Sequence, residues 1–330
     1  MAEQEVLIRI KNLYKSFPFK RKITDVIMRE PQREVKAVDG VSLDIKKNEI
    51  ISLVGESGCG KSSLARTIIR LYEPERGEII YGDTDIAHFN HVKMQEYRKR
   101  MQMVFQDPYS SLNPRMKIRE VLTEELLFHN VCTKDQVENK VLEIIQQVGL
   151  PDTALDRYPS EFSGGQRQRI GIARALAVNP EFIIADEPVS ALDVSIQAQI
   201  LNLLLELQKN YGLSILFISH DLRVVNYISD RVAVMYLGKI VEIGTAKDIY
   251  ENYLHPYSEV LLKSAPNIDP RIRLEKPVIE GNPPSPIDIL PGCRFCKRCK
   301  YAKSVCFEEE PELKEVKEGH FCACYKYQDI

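Results

Sequence analysis

The chain has 330 residues, of which 44% are hydrophobic, and its 45 Lys plus Arg against 47 Asp plus Glu leave a formal net charge of −2. That is an ordinary globular composition with length for about two domains, and its near-neutral balance argues against the broad basic surface of a nucleic-acid binder. The N-terminus lacks the basic and apolar regions of a secretory signal, and no apolar run nears the roughly 18 to 20 residues of a spanning helix, so the chain is not expected to cross a membrane by itself.

In chain order, LIRIKNLYKSF alternates apolar and polar residues as a half-buried strand does. Residues 18 to 36, rich in Lys, Arg and Glu, read as a solvated insertion. VKAVDGVSLDI and NEIISLVG read as strands, the second running into glycines. KSSLARTIIRLYEP has helical spacing with its expected stop at Pro74, and GEIIYGDTDI returns to strand character. Residues 93 to 180 recur mostly at helical spacing, with helices expected in VLTEELLFHNV, QVENKVLEIIQQVGL and GIARALAV and turn signals at Asn130 and Gly149. EFIIADEP, IQAQILNLLLELQKNYG and LSILFISHD form a strand–helix–strand unit, and VAVMYLGKIVEIG a hairpin turning near Gly238. From Ser264 a proline-dense stretch reads as an extended linker, followed by a cysteine-rich tail.

Gly55-Glu56-Ser57-Gly58-Cys59-Gly60-Lys61-Ser62 satisfies the phosphate-loop pattern G-x-x-x-x-G-K-[ST], placed between an apolar strand and a helix. Its glycines let successive N–H groups turn toward a phosphate, and the following helix adds its positive end. Lys61 is expected to reach the β- and γ-phosphates, and the Ser62 hydroxyl to ligate Mg²⁺. Gly55, Ser57, Gly58, Cys59, Gly60 and Ser63 complete the expected nucleotide contacts, with Cys59 present for its size and not its reactivity. Phe182-Ile183-Ile184-Ala185-Asp186-Glu187 is an apolar strand ending in two acids, at the strand edge where α/β ligand sites lie. Asp186 is the expected partner of Ser62 at Mg²⁺, directly or through water. Glu187 is the expected general base or orienter of the attacking water. A Gly-rich turn or a solvated acidic pair could each arise by chance, but their combination points to a P-loop nucleotide hydrolase.

Glu161-Phe162-Ser163-Gly164-Gly165-Gln166-Arg167-Gln168-Arg169 leads into an expected helix and resembles the signature sequence of ATP-binding cassette ATPases. Ser163, Gly164, Gly165 and Gln166 at a helix N-terminus make a second anion site, redundant if the chain acts alone and meaningful if it closes on the γ-phosphate of a facing subunit. An ordinary N-cap is the plainer reading of the same residues. The resemblance implies further roles. Gln106 in MVFQDP is similar to the Q-loop glutamine, which contacts Mg²⁺ and water and couples to the membrane partner. Ser190-Ala191-Leu192-Asp193 is similar to the D-loop that communicates across the dimer. His220 in LFISHD is similar to the switch histidine on the γ-phosphate, and Phe17 to the aromatic that stacks on adenine. Every catalytic position is filled, which implies an active ATPase. VFQDPYSSLNPR and HPYSEVLLKSAP further resemble the ATPase subunits of dipeptide and oligopeptide importers, a group that also includes importers of nickel and other small solutes.

The tail reads Cys293-x₂-Cys296-x₂-Cys299-x₆-Cys306-x₁₅-Cys322-x-Cys324. Four cysteinates can hold Zn²⁺ or a [4Fe–4S] cluster, and spacing alone leaves both open. The resemblance to the peptide-importer ATPases implies the cluster, on Cys293, Cys299, Cys306 and Cys324, with Cys296 and Cys322 left over. Lys297, Arg298 and Lys300, balanced by Glu308 to Glu310, read as a solvated face.

The expectation is therefore an α/β P-loop ATP-binding cassette with a mixed core sheet, a helical subdomain at about 95–168, and a small C-terminal cysteine-rich metal-binding extension. Residues 1–263 form the expected cassette domain, and 264–330 the linker and extension. The cofactors implied are ATP, Mg²⁺ and the [4Fe–4S] cluster. The partners implied are a second cassette ATPase subunit, a related chain in a heterodimer or a second copy of this one, with two transmembrane permease subunits and an extracytoplasmic substrate-binding protein, at the cytoplasmic face of the cell membrane. Nucleic acid is not an expected partner. A soluble cassette ATPase acting on DNA or ribosomes is disfavoured by the charge balance and by the lack of a second cassette or coiled coil. A regulatory module without turnover is disfavoured by the intact Glu187 and His220.

Overall fold

The computed structural model describes residues 5–19, 33–107, 112–264, 287 and 291–328. Most of the insertion expected at 18–36, residues 108–111 of VFQDPYSSLNPR and most of the proline-dense linker lie outside the described residues. In chain order the first elements are strands β1 (Val6–Pro18), β2 (Glu34–Lys46) and β3 (Ile50–Val54), helix α1 (Lys61–Ile68), and strands β4 (Arg76–Tyr81) and β5 (Thr84–Asp85). There follow α2 (His91–Arg100), β6 (Met101–Val104), α3 (Ile118–Phe128), α4 (Val137–Gln147), α5 (Gly164–Leu176), β7 (Phe182–Asp186), α6 (Val194–Tyr211) and β8 (Ser214–Ile218). The last are α7 (Leu222–Ile228), β9 (Arg231–Tyr236), β10 (Lys239–Thr245), α8 (Ala246–Glu251), α9 (Pro256–Ser264), α10 (Val305–Glu308), β11 (Lys314–Lys317) and β12 (His320–Cys322).

The chain divides into two compact units, one of Met1–Glu5, Ile45–Ile50 and Phe89–Ser219, the other of Val6–Asp44, Ile51–His88 and His220–Ile330. In the first unit β6, β7 and β8 run parallel, with Met103 opposite Ile184 and Asp186 opposite Ile218. Central β7 is buried along all five residues, as a strand covered on both faces must be. Helices α3, α4 and α5 pack on one another, and α5 also packs on α6. Turns end α3 and α4 where the sequence signals them, with Asn130 and Gly149 at positive φ and paired backbone bonds closing each last turn. Strand β6 corrects the mostly helical reading of 93–180. Four residues directly after a helix, two of them methionine, carry no period-2 signal of their own, and pairing with β7 makes the strand.

In the second unit β2, β1, β4 and β5 form one sheet, with Ile8 opposite Tyr81 and Ile10 opposite Ile79. The other sheet of this unit is mixed, β3 pairing parallel with β9 and β9 antiparallel with β10. Leu237 and Gly238, both at positive φ, turn that hairpin, the backbone demanded by a tight two-residue connection. Strands β11 and β12 extend the sheet from β10, pairing Cys322 with Glu242. Helix α1 stops at Ile68, well before Pro74. Arg70 takes a positive φ, and the N–H groups of Arg70 and Leu71 return to the carbonyls of Thr67 and Arg66. This glycine-type cap is built on arginine, whose guanidinium bonds the Ala87 carbonyl. No glycine announces it in the sequence.

Candidate nucleotide site and cysteine tail

The phosphate loop leaves β3, whose five residues are all buried, and enters α1 through Gly60. Gly60 sits at φ +111°, and a Cβ there would stand 2.0 Å from the Ala37 carbonyl oxygen, so no side chain fits. No side chain caps the α1 N-terminus, leaving its positive end facing the loop, where an anion is stabilised. The Lys61 side chain is buried and folds back over the loop, donating from Nζ to the Gly55 and Glu56 carbonyls at 2.8 and 3.1 Å. Its charge is therefore held inside the cradle that the motif describes. Cys59 is buried behind it, and burial pushes its thiol pKa up, which keeps it inert. Ser62 and Ser63 lie half-buried on the first turn of α1, while Ser57 and Gly58 are exposed at the loop tip.

Phe17 is half-buried near the end of β1, its ring 5.2 Å from that of Tyr72 in an edge-on contact, with Lys15 Nζ 5.4 Å from its centroid. His220 is exposed and lies two residues before α7. These residues and the phosphate loop all belong to the second unit.

The first unit carries the acids. Asp186 ends β7 with 1% exposure, and Glu187 follows at φ +47°, strained for a non-glycine residue. The turn is fixed from both sides: the Glu187 N–H donates to the Ile218 carbonyl, and Ser190 Oγ donates to the Glu187 carbonyl. Beyond β6, Gln106 Nε2 donates to Glu187 Oε2 at 3.1 Å. The structure thus joins two residues 81 apart in sequence, each from its own motif.

Ser163 caps α5 in a reciprocal box, accepting from Gln166 N at 3.4 Å while its own N–H donates to Gln166 Oε1 at 3.0 Å. Ser163 and Gly164 are exposed. Gly165 faces α6, where a Cβ would fall 2.3 Å from Ile196 Cγ2. Close helix approach therefore accounts for the second glycine of that motif. Asp193 stands exposed at the start of α6 with no side-chain capping bond.

Residues 38–190 match the family model described as ABC transporter, and residues 241–306 match that described as oligopeptide/dipeptide transporter, C-terminal region. The oligopeptide transport ATP-binding protein AppF of Bacillus subtilis (strain 168) is 50% identical, over 99% of each chain. The chain belongs to the ATP-binding proteins of oligopeptide and dipeptide ABC transporters. The dipeptide transport ATP-binding protein DppF of Escherichia coli (strain K12) is 45% identical over 98% of this chain and 95% of that one. Among solved structures, the dimeric ATP-binding cassette MJ0796 bound to ADP and Pi superposes with a TM-score of 0.63 at 27% identity, covering 72% of this chain and 98% of that one. The P-loop cassette fold with its mixed sheet and helices follows, as does the character of an ATP-hydrolysing transport subunit. No described helix is long and apolar enough to cross a membrane.

In this transporter ATPase a buried polar knot holds the tail within the second unit, of which it is part. Glu242 of β10, fully buried, accepts from the Leu254 and His255 N–H groups at 2.7 and 2.9 Å. It also accepts from Ser258 Oγ and pairs with His320 Nε2 at 2.8 Å. Cys293, Cys296, Cys299, Cys306 and Cys324 line one cavity of about 240 Å³. Cys322 stands outside that lining and hydrogen-bonds to Cys324, an interaction that raises the Cys322 thiol and lowers Cys324 to about 7. Backbone N–H groups of Tyr301 and Lys303 point at the sulfurs of Cys299 and Cys306, each at 3.4 Å. Among the described residues no three His, Cys, Asp or Glu side chains converge as a single metal ion requires.

The solvated-face reading of the tail's basic cluster fails at Arg298, whose side chain is 6% exposed. It forms a two-pronged pair with Glu56 of the phosphate loop, both bonds at 3.1 Å. Lys297 and Lys300 remain exposed. Sequence reasoning gave no role to Glu56 or Tyr257. The sole signal was their presence within two recognisable motifs, one of them at a position where the phosphate-loop pattern accepts any residue.

Proposed function

We propose that this chain binds and hydrolyses ATP to power uptake of dipeptides or oligopeptides through a membrane importer. It works at the cytoplasmic face as half of a heterodimer with a second cassette ATPase. Two permease subunits receive the work, and an extracytoplasmic binding protein delivers the peptide. The single observation that carries the hydrolytic part is the Gln106–Glu187 hydrogen bond at 3.1 Å. It ties a candidate general base to the residue whose motif reports to the membrane partner, so turnover and transport share one contact. In this reading Lys61 and the loop from Gly55 to Ser63 hold the phosphates, Phe17 meets the adenine, and Ser62, Asp186 and Gln106 hold Mg²⁺. Glu187 orients the attacking water and His220 meets the γ-phosphate. Ser163 to Gln166 and Asp193 serve the facing subunit's nucleotide. The segment 1–263 acts as the cassette and 264–330 as an appended linker and tail.

The tail suits an iron–sulfur cluster. Support comes from the five cysteines around one cavity, since a cluster spreads its thiolates around a cube while a single zinc ion draws them to a point. Cys293, Cys299, Cys306 and Cys324 would hold it. Bound there, the cluster would cross-link the short turns of the tail and order them.

Gentle extraction of the tagged chain from its native membranes tests the transport reading. Co-purification of multi-spanning permeases and a second cassette ATPase is expected. A catch of ribosomal or DNA-repair proteins in their place would overturn it.

A further inference from the structure

Glu56 is held at three points, and two of them come from the C-terminal third of the chain. Its carboxylate receives both terminal nitrogens of Arg298 at 3.1 Å. Its N–H donates to the Tyr257 hydroxyl at 2.8 Å. Its carbonyl accepts from Lys61 Nζ at 3.1 Å. Arg298 ends the short turn Cys296–Arg298, directly before Cys299. The contacts therefore run without a break from the cysteine turn, through Arg298 and Glu56, to the ammonium of the phosphate loop.

The brace is packed as well as paired. The rings of Tyr236, Tyr257 and Phe295 pack in tilted and edge-on contacts with centroids 4.5 to 5.5 Å apart, and the Arg298 guanidinium lies 5.9 Å from the Phe295 centroid. The Arg298 Nε is buried without a partner, a cost that a merely solvated arginine would not bear. A bidentate guanidinium–carboxylate pair fixes direction as well as distance. A surface Lys–Glu contact would do neither, and it would contribute little.

We propose that Arg298 is a positioning residue for nucleotide binding, through which the cysteine tail holds the phosphate loop in its phosphate-accepting shape. Ordering of the tail and affinity for ATP are then linked. Whatever tightens the tail tightens nucleotide binding, and bound nucleotide in turn protects the tail, because coupling between two sites is reciprocal. The proposal rests on the phosphate loop being the ATP site. Failure of that reading would appear as absent nucleotide binding in the wild-type chain, distinct from any effect of the variants.

The test uses the full chain, titrated with MgATP for binding and for steady-state hydrolysis. Arg298→Ala is expected to raise the Kd and KM for ATP about tenfold, within the usual range of coupling between sites, with kcat within about twofold. Glu56→Gln, which changes no residue of the tail but weakens the same pair from the loop side, should do the same. The double variant should be no worse than either single one, since both cut the same link. Arg298→Lys, keeping the charge but losing the fork, should recover part of the loss. Saturating MgATP should slow thiol labelling of the tail cysteines in the wild type and not in Arg298→Ala. Should Arg298→Ala fail to fold, Glu56→Gln and its labelling rates carry the decision. Wild-type KM in the folded single variants, or losses that add in the double variant, would overturn the proposal.

Discussion

Gln106 reaches Glu187 across 3.1 Å, joining the loop after β6 to the turn after β7. Glu187 is held there in a left-handed backbone conformation that its neighbours enforce through the Ile218 and Ser190 bonds. A carboxylate fixed in this way has little freedom to turn aside, which suits the base proposed for it. Glu187→Gln is expected to lower ATP turnover by about 10²- to 10⁴-fold, the usual contribution of general-base catalysis, while ATP affinity stays within a few-fold. Single-turnover hydrolysis beside equilibrium binding checks it, and unchanged turnover would remove Glu187 from the mechanism.

The Glu242 knot gives a stability prediction. Its four described partners sit two to each carboxylate oxygen, the Leu254 and His255 N–H groups and Ser258 Oγ donating and His320 Nε2 paired beside them. Glu242→Ala strands these donors in a buried site and should cost about 3 to 5 kcal/mol, as other broken buried pairs do. Glu242→Gln keeps the shape but turns an NH₂ group toward two of the donors, so it should also destabilise, by less. Urea unfolding measures both, and a loss below about 1 kcal/mol in the alanine variant would show that the knot is slack.

His255 sets a pH dependence. It is fully buried, and burial pushes its pKa down to about 4. Its Nδ1 accepts the Tyr257 N–H, so a proton on that atom would break the bond. The unfolded chain takes up a proton below about pH 6.5, whereas the folded chain refuses it until about pH 4. Stability from this group is thus complete at neutral pH and declines as pH falls from about 6.5 toward 4, by roughly 2 kcal/mol at pH 5. His255→Asn, which retains an acceptor and does not titrate, should show a shallower decline between pH 7.5 and 5. Parallel declines would contradict the assignment.

The tail cysteines separate by environment. Cys324→Ser, like Cys293→Ser, Cys299→Ser or Cys306→Ser, should abolish iron and acid-labile sulfide in anaerobically purified protein. Cys322→Ser should retain both, because Cys322 lies outside the cavity lining. Zinc without sulfide in the wild type would contradict the cluster reading.

Much of the fold was legible because its signals are local. Buried β3 and β7 read as apolar runs ending in glycines or acids, and Asn130 and Gly149 punctuate helices with the residues that tolerate positive φ. What escaped was set by tertiary context. Met101–Val104 becomes a strand only by pairing with β7, and Arg70 caps α1 where glycine would be the usual sign. The candidate nucleotide-site residues stand out in the sequence by their motifs, but the contacts between them do not. Nothing in the spacing of residues 56 and 298 reveals that a carboxylate and a guanidinium meet across 3.1 Å, and a basic cluster flanked by acids looks solvated until its packing is known.

The central claim is that ATP hydrolysis by this chain powers peptide uptake. The most direct measurement is uptake of labelled dipeptides and oligopeptides by the native cell carrying Glu187→Gln as its one copy of the protein, beside the wild type. Loss of uptake, with the variant present in the membrane fraction at wild-type abundance, is the predicted result. Wild-type peptide uptake under those conditions would contradict the account.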